Sequence, residues 1–433
     1  MKKNYQTSAA PAATEQLVLP DTVTLAMADL AETVKEGLLA LAVGAGFGVM
    51  EVMMQESVTG LCGPRGAHDP DRTAVRHGSE DGSVTLGGRR VPVRRPRVRS
   101  ADGTAEVAVP AYEVFTSTEL LGAMALQRMM AKLSTRRYGA GLEPVGSAVE
   151  ATARSTSKSA VSRRFVAATE SALAEMLATD LSGLDLVALM IDGVHFADHL
   201  CVVALGIGID GTKHPLGVVE GDTENTTVVK DLLAGLRDRG LDTTRPILCV
   251  LDGAKALVAG VKAVFDHPVI HRCQHHKVRN VESKLPKALA STVAKKMRAA
   301  YHDPDALAAE ATLEALARSL DKSHPGAAGS LREGLFETLT VARLGVPPTL
   351  ARTLRSTNAI ESMIEICRDH STNVKRWRDG QMALRWCAAG MGEAAKQFRR
   401  VNGFLHLPAL RAALEAHAKG TVTPQCDNGE VAA

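Results

Sequence analysis

Two apolar stretches in the middle of the chain each run into an Asp-Gly pair. LVALMIDGVHF, residues 186–196, reaches Asp192 after six hydrophobic residues, and PILCVLDG, residues 246–253, reaches Asp252 in a similar way. A short apolar run that stops at a Gly-containing turn signal is typical of a buried strand. The pattern therefore predicts two buried strands that end in Asp192 and Asp252.

The neighbouring segments predict that both strands belong to one sheet. Apolar segments that begin near residues 184, 201 and 214, with Gly and Asp between them, predict an antiparallel meander. A helix ending at Gly240, the strand at 246–253, a helix over 256–265 and a strand over 268–273 follow. This is the ribonuclease H-like order of elements, in which the first and fourth strands are neighbours. Asp192 and Asp252 are thus predicted to meet at one sheet edge.

A third acid completes the predicted site. Residues 277–350 read as helical throughout, and beyond them Ser356 or Thr357 can cap a helix that carries Glu361 near its first turn. A single acid at such a place is more often solvated, but here each of three acids sits on the element that the fold requires. Close carboxylates raise one another's pKa unless a cation lies between them, and hard oxygen ligands favour Mg²⁺ or Mn²⁺.

A basic segment precedes this core. GGRRVPVRRPRVRS, residues 87–100, contains six arginines and no acid, and its alternation around Gly turns predicts a short basic β-ribbon over 75–110. Arginines crowded on a ribbon repel one another unless an anion faces them, and a phosphate backbone is one such anion. Arg94, Arg95 and Arg97 are therefore candidate DNA contacts, with a solvated loop as the equally weighted alternative.

Residues 118–167 have the element pattern of a helix-turn-helix. A helical run is followed by a Gly-containing break, a short helix and STSKSAVSRR. The second helix of such a motif enters the major groove, so Lys158, Arg163 and Arg164 are candidate DNA contacts. An ordinary helical hairpin is the commoner alternative, but the basic ribbon next to it favours DNA.

Composition sets wide limits on this interpretation. The chain has 433 residues, which predicts two or three domains, and 45% hydrophobic residues, which suits a globular protein with sizeable cores. The net charge of +3 is too mild to indicate a nucleic-acid partner by itself. Seven scattered cysteines give no disulfide framework, and no apolar run reaches the roughly 18 residues of a membrane span.

The chain resembles the Mutator-type transposases of bacterial insertion sequences. The matching segments are IDGVHF, GIGIDGTKHPLGVVEGDTEN, VLDGAKAL, HRCQHHKVRNV and RSTNAIES, within about residues 85–400. The resemblance implies an Asp-Asp-Glu triad on a ribonuclease H-like core, with Asp192, Asp252 and Glu361 as ligands of two Mg²⁺ or Mn²⁺ ions. It also implies a basic DNA-binding stretch after the Glu helix, which here retains Lys375 and Arg376, diluted by nearby acids.

The family's Cys-x-x-His signature matches Cys273 and His276. With His271 and His275 nearby, the residues alone also suggest zinc, but no second ligand pair stands at finger spacing. We therefore expect Cys273 and His276 to support the carboxylate site or to bind DNA.

The resemblance implies a transposase that binds the terminal inverted repeats of its element, cleaves the ends by metal-dependent hydrolysis and joins the 3′-hydroxyl to target DNA. The alternatives are a ribonuclease H-like nuclease or resolvase and a domesticated DNA-binding protein without catalysis. We expect double-stranded DNA as the partner, a homodimer on paired ends, no membrane, and a cytoplasmic, nucleoid-associated location.

The predicted fold class is α/β, with a ribonuclease H-like core interrupted by an all-helical insertion and preceded by a mostly helical DNA-binding region. The predicted segments are a tail at 1–20, the DNA-binding region at 21–180, the first part of the core at 181–276, the insertion at 277–350, the second part of the core at 351–420 and a tail at 421–433.

Overall fold

The computed structural model describes residues 21–67, 69–142, 145–154, 156–221 and 225–421. The predicted tails lie outside these ranges, apart from residue 421. The described chain forms two compact units. One contains the described residues up to Leu121 together with Gly139–Ala160, and the other contains Gly122–Tyr138 and the described residues from Val161 onward.

The first unit is built around a β-hairpin and a long helix. Its elements are α1 (Asp21–Cys62), β1 (Ala74–Leu86), β2 (Arg89–Ser100), β3 (Glu106–Val107), α2 (Pro110–Thr116), the start of α3 (Glu119–Met130), a 3-10 turn (Gly139–Gly141), α4 (Ser147–Thr152) and the start of α5 (Lys158–Ala178). The strands pair in the order β1-β2-β3, all antiparallel. The sequence prediction of a ribbon over 75–110 is confirmed.

The hairpin turn explains where the ribbon reverses. Gly87 and Gly88 have φ of 53° and 77°, which suits a two-residue turn that needs positive φ at both positions. Behind the hairpin, Val58 and Cys62 of α1 pack against Ala74 and Val98. The end of α1 therefore anchors one face of the ribbon.

The second unit contains a five-stranded sheet of β4 (Leu186–Phe196), β5 (His199–Gly208), β6 (Lys213–Gly221), β7 (Ile247–Leu251) and β8 (Pro268–Arg272). The strand order is β6-β5-β4-β7-β8. The first three strands form an antiparallel meander, and β7 and β8 add parallel to β4. The predicted neighbourhood of the first and fourth strands is confirmed.

Helices cover both faces of this sheet. Besides the remainder of α3 and of α5, the helices of the second unit are α6 (Thr226–Asp238), α7 (Lys255–Val264), α8 (Gln274–Glu282), α9 (Lys287–Ala300), α10 (Ala306–Leu320), α11 (Pro325–Arg332), α12 (Leu335–Thr338), α13 (Thr340–Arg343), α14 (Pro348–Leu354), α15 (Asn358–His370), α16 (Gly380–Gln397) and α17 (Leu407–Thr421), with a 3-10 turn at Phe404–His406.

Alternate residues of β4 lie in two different hydrophobic cores. Leu189 and Ile191 pack in the core that contains α6 and α7, whereas Ala188 and Met190 pack in the core that contains α15 and α16. Side chains alternate across a strand, so Asp192 belongs to the face covered by α15. That is the helix that carries Glu361.

A separate helical core lies between β8 and α15 in the chain. Residues of α8 to α12 form their own buried cluster, which includes Val281, Met297, Leu313 and Leu331. The prediction that the chain beyond residue 277 is helical is confirmed. The helices from α8 to α14 separate Glu361 from the sheet in sequence, yet α15 packs directly on β4.

Candidate active site

Asp192 lies inside β4, four residues before the strand ends. The prediction that the strand stops at Asp192 is wrong, because β5 continues to pair with β4 as far as Phe196 opposite His199. The Gly193 N–H donates to Asp192 Oδ1 at 2.8 Å. Burial, and to a lesser extent repulsion from Asp252 and Glu361, raises the pKa of Asp192 to about 6.

Asp252 follows β7 directly. Because Met190 pairs with Val250 in the parallel β4–β7 ladder, Asp192 and Asp252 occupy equivalent positions, each two residues beyond that pair. The Ala254 N–H donates to Asp252 Oδ1 at 2.7 Å. The turn from Asp252 to Ala254 passes through Gly253, whose φ of 105° favours glycine.

Glu361 reaches the same place from α15. It lies in the first turn of that helix, as predicted, and Thr357 occupies the N-cap position. The Thr357 hydroxyl does not cap the helix but donates to Glu361 Oε1 at 2.5 Å. Asp192 and Asp252 lie at equivalent positions of the neighbouring β4 and β7, and α15 packs on β4, so the structure brings the three predicted acids to the same region of the sheet.

Cys273 and His276 lie beside Glu361. The Thr357 N–H and hydroxyl are 3.4 and 3.3 Å from Cys273 Sγ, and His276 Nδ1 is 3.8 Å from Glu361 Oε1. The hydrogen bond with Cys273 is the main cause that raises the pKa of His276 to about 8. Burial acts to raise the pKa of Cys273, but its hydrogen bonds with His276 and Thr357 outweigh burial and lower it.

The residues here offer two possible ligand sets for a metal. Among the described residues, the one group of three whose ligand atoms all lie within 4.8 Å of one another is Cys273, His276 and Glu361. The two aspartates lie outside that compact group. Asp192, Asp252 and Glu361 form the second possible set, and that they bind metal stays a prediction. Burial is the main cause of the raised pKa of Asp192, and the negative charges of Asp252 and Glu361 add to it.

The loop after Asp252 is fastened to the helical insertion by Arg272. This side chain is buried, and it donates to the Gly253 carbonyl at 2.8 Å and to the Glu333 carbonyl at 3.1 Å. Lys277, also buried, donates to the Ser330 carbonyl at 2.8 Å. Sequence reasoning missed Arg272, Lys277 and the role of Thr357, since only the tertiary contacts reveal them.

The arginines of the ribbon are balanced by acids within the first unit. Arg94 pairs with Asp81 at 2.8 Å, and Arg97 pairs with Glu106 at 2.7 Å. Arg95 pairs with Glu80, directly across the β1–β2 ladder, and with Glu106. The argument that these arginines lack an anion unless DNA supplies it is therefore wrong, because the antiparallel register places the acids of β1 and β3 beside them. That Arg94, Arg95 and Arg97 contact DNA stays a prediction.

The candidate recognition helix starts where the sequence predicted. α5 begins at Lys158, and Lys158 and Arg163 are exposed while Val161 and Phe165 are buried. Arg164 is half-buried. Ser155, which the sequence placed at the start of this helix, lies outside the described residues. Contact of Lys158, Arg163 and Arg164 with DNA stays a prediction.

The basic loop between α15 and α16 is anchored next to the strand that carries Asp192. Lys375 and Arg376 are exposed, and Trp377 packs on Phe196, the last residue of β4, with ring centroids 4.7 Å apart. Trp386 is only 4% exposed and lies in the core. Lys375 and Arg376 therefore lie next to the end of β4, and their contact with DNA stays a prediction.

Within the ranges that the structure covers, no helix has the length and apolar character needed to cross a membrane.

Comparison with known proteins adds a family and several relatives. The profile described as Transposase, Mutator family matches residues 19–401. The transposase for insertion sequence element IS6120 of Mycolicibacterium smegmatis is 30% identical over 56% of this chain and 76% of its own length. The transposase for insertion sequence element ISRM5 of Rhizobium meliloti (strain 1021) is 26% identical over 84% of this chain and 89% of its own length. The transposase for insertion sequence element IS256 in transposon Tn4001 of Staphylococcus aureus is 28% identical over 38% of this chain and 41% of its own length.

Proposed function

The chain belongs to the Mutator family of transposases, and from this premise we propose that it cleaves and joins DNA with an Asp-Asp-Glu site on a ribonuclease H-like core. The observation that carries the proposal is the convergence of Asp192, Asp252 and Glu361 from β4, the end of β7 and α15. The strand order β6-β5-β4-β7-β8, with β4 and β7 parallel in the middle, supports the core assignment.

Asp192, Asp252 and Glu361 are the residues that would hold two Mg²⁺ or Mn²⁺ ions. When bound, such ions would activate the attacking oxygen and stabilise the leaving oxygen of an in-line displacement at phosphorus. The donor set fits, because carboxylate oxygens are hard ligands and their mutual repulsion favours a cation between them.

Groups of the protein itself orient the three carboxylates in the absence of DNA. Backbone N–H groups fix one oxygen of Asp192 and one of Asp252, and the Thr357 hydroxyl fixes Glu361. His276, with its pKa raised to about 8, is largely protonated at neutral pH. It therefore places a positive charge beside Glu361, where a phosphate oxygen of the DNA can be held.

The reaction proceeds in two successive displacements at phosphorus. A water oxygen bonds to phosphorus at the element's end, and the 3′-oxygen leaves as a hydroxyl. That hydroxyl then bonds to phosphorus of the target strand, whose own 3′-oxygen leaves in turn. The same carboxylates serve both steps, and no covalent bond between protein and DNA forms.

We assign recognition of the terminal inverted repeats to the first unit and α5. Lys158, Arg163 and Arg164 would contact the element's ends, and Lys375 and Arg376 would hold DNA beside the carboxylates. Binding of two ends implies a homodimer, and a DNA substrate places the protein at the nucleoid in the cytoplasm.

Purified protein incubated with the element's end DNA, a target plasmid and Mg²⁺ tests the proposal. We expect end cleavage and joined products, both lost in Asp192→Asn, Asp252→Asn and Glu361→Gln with end binding retained. Glu365→Gln is a matched control, because Glu365 is exposed one turn further along α15. Near-normal cleavage by any triad variant would show that its residue is wrongly assigned, and cleavage without joining would favour a nuclease or resolvase.

A further inference from the structure

A cavity of about 350 Å³ lies in the second unit, outside the carboxylate site. Its walls come from the first residue of α8, the segment that links α9 to α10, and the segment from α13 to α14. Tyr301, Val346 and Pro347 supply apolar surface, and Gln274, Arg352 and Arg355 supply polar groups. Its volume falls near the lower end of the range for small-molecule sites, about 300–1,000 Å³.

The charge in this cavity is unbalanced. Neither Arg352 nor Arg355 forms an ion pair or a side-chain hydrogen bond with any residue in the described part of the chain. Arg355 is half-buried, and burial, followed by repulsion from Arg352, lowers the pKa of its guanidinium. Asp303 also lines the cavity, so a single carboxylate, whose Oδ1 accepts the Asp305 N–H at 2.9 Å, faces the two guanidinium groups. Two unpaired guanidinium groups favour an anionic ligand, above all a phosphate.

The cavity is linked to the candidate active site by short stretches of backbone. Gln274 directly follows Cys273, and its N–H donates to the Arg355 carbonyl at 3.0 Å. Arg355 in turn lies two residues before Thr357, which holds Glu361. The cavity wall at Arg355 and Thr357, the residue that holds Glu361, are therefore only two residues apart along the chain.

We propose that the cavity binds one unstacked nucleotide of the DNA substrate. Arg355 and Arg352 would hold its phosphate, and the base would lie against Tyr301, Val346 and Pro347 with Gln274 able to hydrogen-bond to its edge. A bare phosphate would leave the apolar wall uncovered, whereas a nucleotide matches both the charge and the apolar surface. Enzymes that act on DNA extrude single nucleotides into such pockets at an unstacking cost of a few kcal/mol. The inference rests on the proposed function, since it takes DNA as the substrate.

Affinity for two matched duplexes tests the proposal. They have the same sequence and differ only in one nucleotide near the cleavage position, which faces either its complement or an abasic site. The unpaired nucleotide has already lost its pairing, so the full-length protein should bind that duplex about tenfold more tightly. Fluorescence anisotropy without divalent metal measures binding alone.

Three variants locate the effect. Arg355→Ala removes the phosphate contact, and Ala342→Phe fills the cavity from its wall; both should abolish the preference while the paired duplex still binds. Arg318→Ala, an exposed arginine of α10 outside the cavity, should keep it. No preference in the wild type, or an equal preference in all variants, overturns the proposal.

The two proposals fail in different ways. If the protein cleaves end DNA in Mg²⁺ but shows no preference for the unpaired nucleotide, the cavity assignment fails and the transposase assignment stands. If the preference exists and depends on Arg355 but no cleavage occurs, the cavity assignment stands and the assignment of DNA cleavage and joining fails.

Discussion

At the scale of single residues, the three acids are held by contacts that differ in range. Asp192 and Asp252 each accept a backbone N–H from within two residues, so their orientation follows from the local turn. Glu361 is instead held by a side chain one helical turn away, Thr357, which is fully buried and also contacts Cys273. Thr357 is therefore a positioning residue whose loss should be separable from the loss of a ligand.

Replacing Thr357 by Val should lower the rate of end cleavage about tenfold, because a hydrogen bond to a charged group contributes about 1.5–3 kcal/mol. Glu361 remains present, so raising the Mg²⁺ concentration should recover part of the rate. Thr357→Ser keeps the hydroxyl and should cleave at nearly the wild-type rate. Cleavage rates measured against Mg²⁺ concentration check this, and an unchanged Mg²⁺ dependence in Thr357→Val would remove the positioning role.

The pair Cys273 and His276 allows a second test at this scale. We expect purified protein to contain no stoichiometric zinc, and His276→Ala to fold while joining DNA less well than the wild type. Metal analysis, circular dichroism and a strand-joining assay measure the three quantities. Stoichiometric zinc that disappears in His276→Ala together with the fold would instead establish a structural zinc site, because such sites contribute directly to folding.

Sequence reasoning found the three acids but not the groups that support them. Asp192, Asp252 and Glu361 follow apolar runs or a helix start, which are local signals. The contacts of Thr357 with Cys273 and of Arg272 with Gly253 join residues 84 and 19 positions apart. No local pattern encodes such contacts, so only the folded structure reveals them.

At the scale of elements, the β-ribbon shows how strand register decides which charged side chains are paired. The arginines of β2 look unbalanced along the sequence, but the antiparallel pairing sets Glu80 opposite Arg95 and Asp81 opposite Arg94. The sequence predicted both strands and the turn correctly because alternation and the Gly pair are local. It could not predict that β3 would bring Glu106 to Arg95 and Arg97.

These acids should limit how strongly the ribbon attracts DNA. The double variant Glu80→Gln, Glu106→Gln frees Arg95 and Arg97 from their partners. If the ribbon faces DNA, affinity should rise and the salt dependence of binding should steepen, because more phosphates are neutralised. Titrations of a random duplex at several salt concentrations measure both. Glu113→Gln, an exposed acid of α2, is the control, and unchanged binding in the double variant would exclude the ribbon from the DNA interface.

At the scale of the second unit as a whole, the sheet gathers groups that are far apart in sequence. Parallel pairing of β4 with β7 aligns the two aspartates, and α15 packs on β4 from the face that Asp192 shares. The intervening helices are joined to the site through Arg272 and Lys277. The fold thus concentrates negative charge at one place, and that charge should lower stability unless a cation is bound.

The free energy of unfolding should therefore depend on pH through Asp192. Asp192 has a pKa of about 6, above its ordinary value of 3.8, so the folded state binds more protons than the unfolded state between these values. Stability contributed by this group therefore falls as pH rises from about 4 to 6 and stays lower above it.

Without divalent metal at pH 7.5, Asp192→Asn should accordingly raise the melting temperature of the protein by about 2 °C, since it removes a charge that is costly to bury and that repels Asp252 and Glu361. Mg²⁺ should stabilise the wild type by binding the folded state only, and this stabilisation should shrink in Asp192→Asn. Asp198→Asn, an exposed acid in the β4–β5 turn, should change neither quantity. Calorimetry in EDTA and in Mg²⁺ measures all three proteins. A lower melting temperature for Asp192→Asn in EDTA would mean that this carboxylate stabilises the fold through its own hydrogen bonds. The charged carboxylate would then not destabilise the metal-free protein.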